Sequence, residues 1–219
     1  MPSLPINEVL DDIRQSLVLN NRVVLQAPPG AGKTTMVPIA LLEQAWLQGR
    51  QIIMLEPRRL AARSAATRMA YLLGEKVGHT VGYQVRQDSC FSKQTKILVV
   101  TEGILTRKLQ SDPELYDTAL VIFDEFHERS LHADLSLALC LQSQQILREE
   151  LKILVMSATL NTDAIARLLY AGSESDDFPI IISKGRSYPV EVHYLHHSIK
   201  SGDRNQLISA LSSTCRQVI

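Results

Sequence analysis

The chain has 219 residues, with 23 Lys and Arg against 23 Asp and Glu, so its formal net charge is zero. Bulk charge therefore does not mark it as a nucleic-acid binder, and any grip on phosphate must come from locally clustered basic residues. A 45% hydrophobic content suffices for a packed core, yet no apolar run is long enough to span a bilayer. The N-terminus lacks a basic region followed by an apolar stretch, so the expectation is a soluble, cytoplasmic protein. The three cysteines, Cys90, Cys140 and Cys215, lie far apart. None has metal-ligand spacing, and an odd number argues against a disulfide framework.

In chain order, residues 6–19 read as an amphipathic helix, followed by an apolar run at 23–27. Five more such runs follow, at 52–55, 97–100, 119–123, 153–156 and 179–182. Short, nearly continuous apolar runs fit strands buried on both faces. Helical spacing fills the segments 34–48, 60–73 and 131–147, and a further helix is expected over 161–170. Residues 77–86 read as an extra strand or a loop, and the polar, acidic stretch 172–177 as a loop. Strands alternating with helices predict an α/β domain with a mostly parallel sheet flanked by helices. After about Gly185 the pattern changes, to a strand at 190–195 and a helix at 204–213. The expected organisation is one domain over 1–185 and the linker and incomplete start of a second over 186–219.

The first run ends in Gln26-Ala27-Pro28-Pro29-Gly30-Ala31-Gly32-Lys33-Thr34-Thr35 and opens a helix. Consecutive backbone N–H groups at a helix N-terminus cradle phosphate oxygens. Pro28 and Pro29 have no N–H, so the cradle must come from the amides of Gly30, Ala31, Gly32, Lys33, Thr34 and Thr35. Lys33 would supply charge to the outer phosphates of ATP, and the Thr34 hydroxyl would ligate Mg²⁺. Ala27 stands where the strict pattern has glycine, which is acceptable if the backbone there keeps a negative φ. A rival reading treats Gly30-Ala31-Gly32 as a dinucleotide fingerprint with Glu56 as the ribose-binding acid. It leaves Lys33 and Thr34 without a role.

The run at 119–123 ends in Asp124-Glu125-Phe126-His127-Glu128-Arg129. Asp124 would sit beside Mg²⁺, Glu125 would orient or deprotonate the attacking water, and His127 would sense the γ-phosphate. Ser157 and Thr159 end the next strand, where their hydroxyls would link hydrolysis to domain movement or simply cap the following helix. Glu56-Pro57-Arg58-Arg59 and Thr101-Glu102-Gly103 also follow strand ends. In a parallel sheet all five motifs fall on one edge, where ligands bind.

Together these stretches resemble superfamily 2 helicases of the DEAH-box type, and among them the bacterial HrpB subfamily. Phe126 replaces the usual alanine of the box. The resemblance implies a RecA-like ATP-binding domain of a nucleic-acid helicase that uses ATP and Mg²⁺. It implies that Arg58, Arg59, Thr101, Glu102 and Gly103 contact the backbone of single-stranded RNA or DNA, and that Arg68 stacks on the nucleotide base. It also implies a second RecA-like domain carrying arginine fingers, of which this chain would hold only the beginning. The alternative is a non-catalytic module that binds nucleotide and nucleic acid.

Overall fold

A computed structural model describes residues 4–158, 162–170, 178–185 and the isolated Ile208. The chain falls into two units, Met1–Arg186 and Ser187–Ile219, and the architecture below is that of the first. The expected loop at 172–177, strand at 190–195, helix at 204–213 and start of a second domain lie, Ile208 apart, outside the described residues.

A 3-10 turn at Pro5–Val9 leads into α1 (Leu10–Leu19), and β1 (Arg22–Gln26) is followed by the phosphate loop and α2 (Lys33–Ala40). Then come β2 (Gln51–Glu56), α3 (Arg59–Leu72), β3 (Val81–Val85), β4 (Asp88–Cys90), β5 (Ile97–Thr101) and α4 (Glu102–Ser111). β6 (Thr118–Phe123), α5 (Leu131–Ile146), β7 (Lys152–Ser157), α6 (Thr162–Leu169) and β8 (Ile180–Ile182) complete the unit. The strands form one eight-stranded sheet in the order β4-β3-β5-β2-β6-β7-β1-β8. Every pairing is parallel except β3 with β4.

Period-two alternation divides the core. Ile52 and Met54 of β2, Leu120 and Ile122 of β6, and Leu154 and Met156 of β7 face Ile13, Leu17, Val37, Ala62, Ala66 and Met69 of α1, α2 and α3. Their neighbours Ile53, Leu55, Val121, Phe123, Ile153 and Val155 face Leu105, Leu109, Leu137, Cys140, Ile165 and Leu169 of α4, α5 and α6. Both parities of each central strand are therefore apolar, and each such side chain contributes about 1.5–3 kcal/mol on burial.

Three elements differ from the sequence reading. The helix expected over 34–48 stops at Ala40, two residues past an internal Pro38. Beyond it the bonds tighten to a three-residue span, with Leu41 N–H donating to Pro38 O and Leu42 N–H to Ile39 O. α4 was not anticipated: Gly103 and the polar Thr106 interrupt its apolar pattern. Thr106 is nevertheless buried, its Oγ1 3.0 Å from Glu102 O and 3.0 Å from Ser136 Oγ. The stretch 77–86 does contain a strand, β3, to which β4 adds an antiparallel edge through a turn in which Gln87 has φ +63°.

Candidate nucleotide site

The C-terminal ends of β1, β2, β5, β6 and β7 lie on one edge of the sheet, as the parallel register requires. The phosphate loop leaves β1 there. Ala27 is fully buried, and its N–H donates to Ser157 O at 3.0 Å. Gly30 and Gly32 adopt φ +76° and +96°, which L side chains rarely tolerate. At Gly32 space is also closed, since a Cβ would meet Leu4 Cδ1 at 2.8 Å. The Ala31 N–H donates to Pro28 O at 3.2 Å and so stabilises the loop itself. The first-turn amides of α2, from Lys33 and Thr34, have no intrahelical acceptor and remain for an anion.

Lys33 is buried, and its Nζ lies 2.7 Å from Glu125 Oε1. The Thr34 hydroxyl donates to Asp124 Oδ2. Asp124 Oδ1 accepts the Glu125 N–H at 2.8 Å. The Asp124 N–H in turn donates to Leu55 O at 3.0 Å, which locks the acidic motif to the end of β2. Glu125 sits at φ +48° and Arg129 at φ +42°, conformations that cost non-glycine residues about 1–3 kcal/mol. The Lys33 and Asp124 contacts hold Glu125 there. Phe126, in the alanine position, is buried edge-on to Phe123 with ring centroids 6.0 Å apart. It extends the core beneath the motif.

Glu56 joins this group; the sequence reading placed it in a strand-end motif on this edge and in the dinucleotide rival, but gave it no role beside the phosphate loop. It is 2% exposed. Burial is the main cause that raises its pKa to about 9, aided by the charge of Asp124, a hydrogen bond with Asp124 and the charge of Glu125, and opposed by Lys33. Asp124 is raised too, by burial first, then opposed by Lys33 and Thr34. Three carboxyl groups thus face one ammonium, and burial together with the neighbouring acids pushes Glu56 toward its neutral form. Among the described residues no three His, Cys, Asp or Glu are grouped to hold a metal by themselves. The donors at hand, one hydroxyl and one carboxylate, fit Mg²⁺, which commonly takes one or two protein oxygens and completes its shell with substrate phosphates and water.

The other expected residues surround this corner. His127 Nδ1 lies 3.4 Å from Glu125 Oε2 and 3.4 Å from the Ala158 nitrogen, bridging the acidic motif and the end of β7. Ser157 is fully buried, while Thr159, and with it the capping alternative, lies outside the described residues. A cavity of about 440 Å³ is lined by Thr34, Thr35, Glu56, Arg58, Arg68 and Glu128, among others. Arg68 therefore reaches the phosphate loop's cleft, with its guanidinium also 5.3 Å from the Tyr71 ring centre. Arg58 is exposed and paired with Glu128, Nη2 to Oε1 at 2.9 Å and Nε to Oε2 at 3.2 Å. The sequence reading missed this pairing. Arg59 opens α3 and is exposed; Thr101 ends β5, and Glu102 and Gly103 open α4.

Comparison with known proteins gives the family. The chain is 52% identical over 195 residues to the ATP-dependent RNA helicase HrpB of Escherichia coli strain K12, covering 89% of this chain and 23% of that protein. It is 38% identical over 182 residues to a probable ATP-dependent RNA helicase, the DHX35 homolog of Caenorhabditis elegans, covering 81% and 25%. It thus spans about a quarter of the length of either relative. The crystal structure of the Escherichia coli DEAH/RHA helicase HrpB superposes with a TM-score of 0.88 at 48% identity, over 98% of this chain and 27% of that one. The fold is therefore the RecA-like helicase domain. The DEAD/DEAH box helicase family profile matches residues 8–168, most of the unit that carries the phosphate loop and the acidic motif. By sequence and fold alike, this chain belongs to the DEAD/DEAH box helicases.

Proposed function

We propose that this chain is the N-terminal ATP-binding part of an ATP-dependent RNA helicase in which hydrolysis drives movement along a single strand. The observation that carries the reading is the convergence of Lys33, Thr34, Asp124 and Glu125 within hydrogen-bonding reach at one sheet edge. The cytoplasm, where ATP and RNA are both at hand, is the setting this activity needs.

In this reading the first-turn amides of α2 and the Lys33 ammonium hold the triphosphate. Lys33 exchanges Glu125 for phosphate oxygen when nucleotide binds, so the Glu125 carboxylate is released to orient water and accept its proton. Thr34 and Asp124 would hold Mg²⁺, which supplies charge neutralisation on the phosphates. Arg68 would cover the base. His127 would relay the state of Glu125 to the end of β7, with Ser157 and Thr159 as the next residues in that path. Arg58, Arg59 and residues 101–103 would grip the strand's phosphates without reading bases. Residues 1–185 would form the first RecA-like domain and 186–219 the start of the second.

A second RecA-like domain would close over the nucleotide and supply the arginine that meets charge on the γ-phosphate. Such arginines are worth about 10³–10⁵ in rate, so residues 1–219 alone should bind ATP and hardly turn it over. The test is ATP hydrolysis and duplex unwinding by residues 1–219 beside the full-length protein, with single-stranded RNA and DNA at one salt concentration. Strand-stimulated turnover and unwinding are expected of the full-length protein only. Robust stimulated turnover by the fragment would overturn the role given to the second domain.

A further inference from the structure

Pro28 and Pro29 stiffen the approach to the phosphate loop but donate no N–H, so nucleotide binding leaves them without a part to play. Pro28 has a specific neighbour. β8 pairs with β1, placing Ile182 opposite Gln26. The pairing continues past the strand, where the Ser183 N–H donates to Gln26 O at 2.8 Å. Ser183 is buried, and two residues later the backbone of Gly185 lies against the Pro28 ring. A Cβ at Gly185 would stand 2.2 Å from Pro28 Cγ, 3.2 Å from its Cβ and 3.5 Å from its Cδ. Non-bonded carbons rest about 3.5–4.0 Å apart, so a side chain there must displace the ring or the segment carrying it. The constraint differs from that at Gly30, where φ is +76° and a Cβ would meet nothing within 4 Å. At Gly185 closeness to Pro28, rather than a left-handed backbone, demands glycine.

The opposite side of the loop is also held. Ala27 N–H is tied to Ser157 O, and Pro28 O accepts from Ala31 N–H. The first half of the phosphate loop is therefore clamped between the end of β7 and the segment 183–185 that follows β8. The proline ring fixes its own φ, so a push on the ring passes into the loop with little local give.

We propose that Gly185 is a positioning residue for the phosphate loop. Its bare backbone is the stop against which Pro28 rests, so the loop and the segment leaving the domain shift together. Nucleotide that moves the loop moves this segment, and by reciprocity the position of the segment alters nucleotide affinity. The inference rests on the nucleotide reading of the loop, and the test separates the two.

In the full-length protein, Gly185→Ala, Pro28→Ala and the double variant are compared for binding of a non-hydrolysable ATP analogue with Mg²⁺, alongside thermal melting. Gly185→Ala should weaken binding about tenfold or more, a loss of roughly 1.4 kcal/mol or above. Pro28→Ala removes the ring carbons met at 2.2 and 3.5 Å, leaving only the 3.2 Å approach. The double variant should therefore return to the affinity of Pro28→Ala alone. Unchanged affinity in Gly185→Ala overturns the proposal, as does a loss that the double variant fails to recover. If Gly185→Ala melts early, recovery of melting and affinity together in the double variant supports it, and recovery of melting alone overturns it. Wild-type protein that failed to bind the analogue would instead strike down the nucleotide reading, and this inference with it.

Discussion

Two groups of charged residues share one edge of the sheet and differ in their surroundings. Lys33, Glu56 and Asp124 are 3%, 2% and 3% exposed and press on one another. Arg58 and Arg59 stand in solvent, and the Arg58 side chain is 72% exposed even while paired with Glu128. Buried charges interact through little screening, so each sets the protonation and position of the next. Exposed pairs are worth about 0–1 kcal/mol and exchange partners freely. The first arrangement suits chemistry on a phosphate held in one place. In the function proposed above, the second would serve a strand that must be gripped and released.

That contrast orders the expected effects. The largest belongs to Glu125. Glu125→Gln in the full-length protein should slow hydrolysis about 10²–10⁴-fold, the usual worth of a positioned general base. The amide keeps the shape, so ATP analogue affinity should hold or rise. A variant that turns over normally would place the base elsewhere. Next is Lys33→Ala, which removes the one ammonium facing three carboxylates. Affinity for the analogue should fall at least about 100-fold, or roughly 2.7 kcal/mol, by titration. An affinity within a factor of a few of wild type would separate Lys33 from the phosphates.

Glu56→Gln sharpens the comparison from the side of stability. Glu56 has its pKa raised to about 9 in the folded, nucleotide-free protein, from an ordinary 4.5. Its stabilising contribution is therefore complete below about pH 4.5 and is lost as pH climbs through about 9. Glutamine stays neutral throughout and can still donate to Asp124. Without nucleotide or divalent cation, the variant's melting temperature should exceed wild type increasingly between those limits. The gain should be about 2–4 °C for each kcal/mol recovered. Parallel melting curves would show that Glu56 holds no proton. The smallest effects belong to the arginines. Arg59→Ala should reduce the salt slope of single-strand binding by about 0.7, and Arg58→Ala by less, because Glu128 already competes for that guanidinium. An unchanged slope in the double variant would leave both as surface charge.

The strands were legible because parallel strands between two layers of helices must be apolar at both parities. The runs around Ile53, Val99, Val121 and Leu154 show it without any alternation. β4 was illegible for the opposite reason: it is short, polar and at the sheet's edge, and its turn at Gln87 uses a positive φ without glycine or asparagine. α4 hid its buried Thr106 behind a polar pattern, since the Ser136 hydroxyl that satisfies it comes from a distant helix. Among site residues, Lys33, Thr34, Asp124 and Glu125 announced themselves through strand–loop–helix context. Glu128 carried no signal until Arg58 was found beside it.

Residue order by itself determined which chemistry is present: the glycines that let the loop turn, the lysine and hydroxyl that follow, and two carboxylates at a strand end. Those are local features, set by neighbours a few positions apart. The tertiary structure alone decided who meets whom. Glu56 meets Asp124, and Arg58 pairs with Glu128, because β2 and β6 lie side by side with Leu55 opposite Phe123. Gly185 meets Pro28 because β8 extends the sheet beyond β1. Strand adjacency follows from how the whole sheet buries its two faces, and no single segment of sequence contains it.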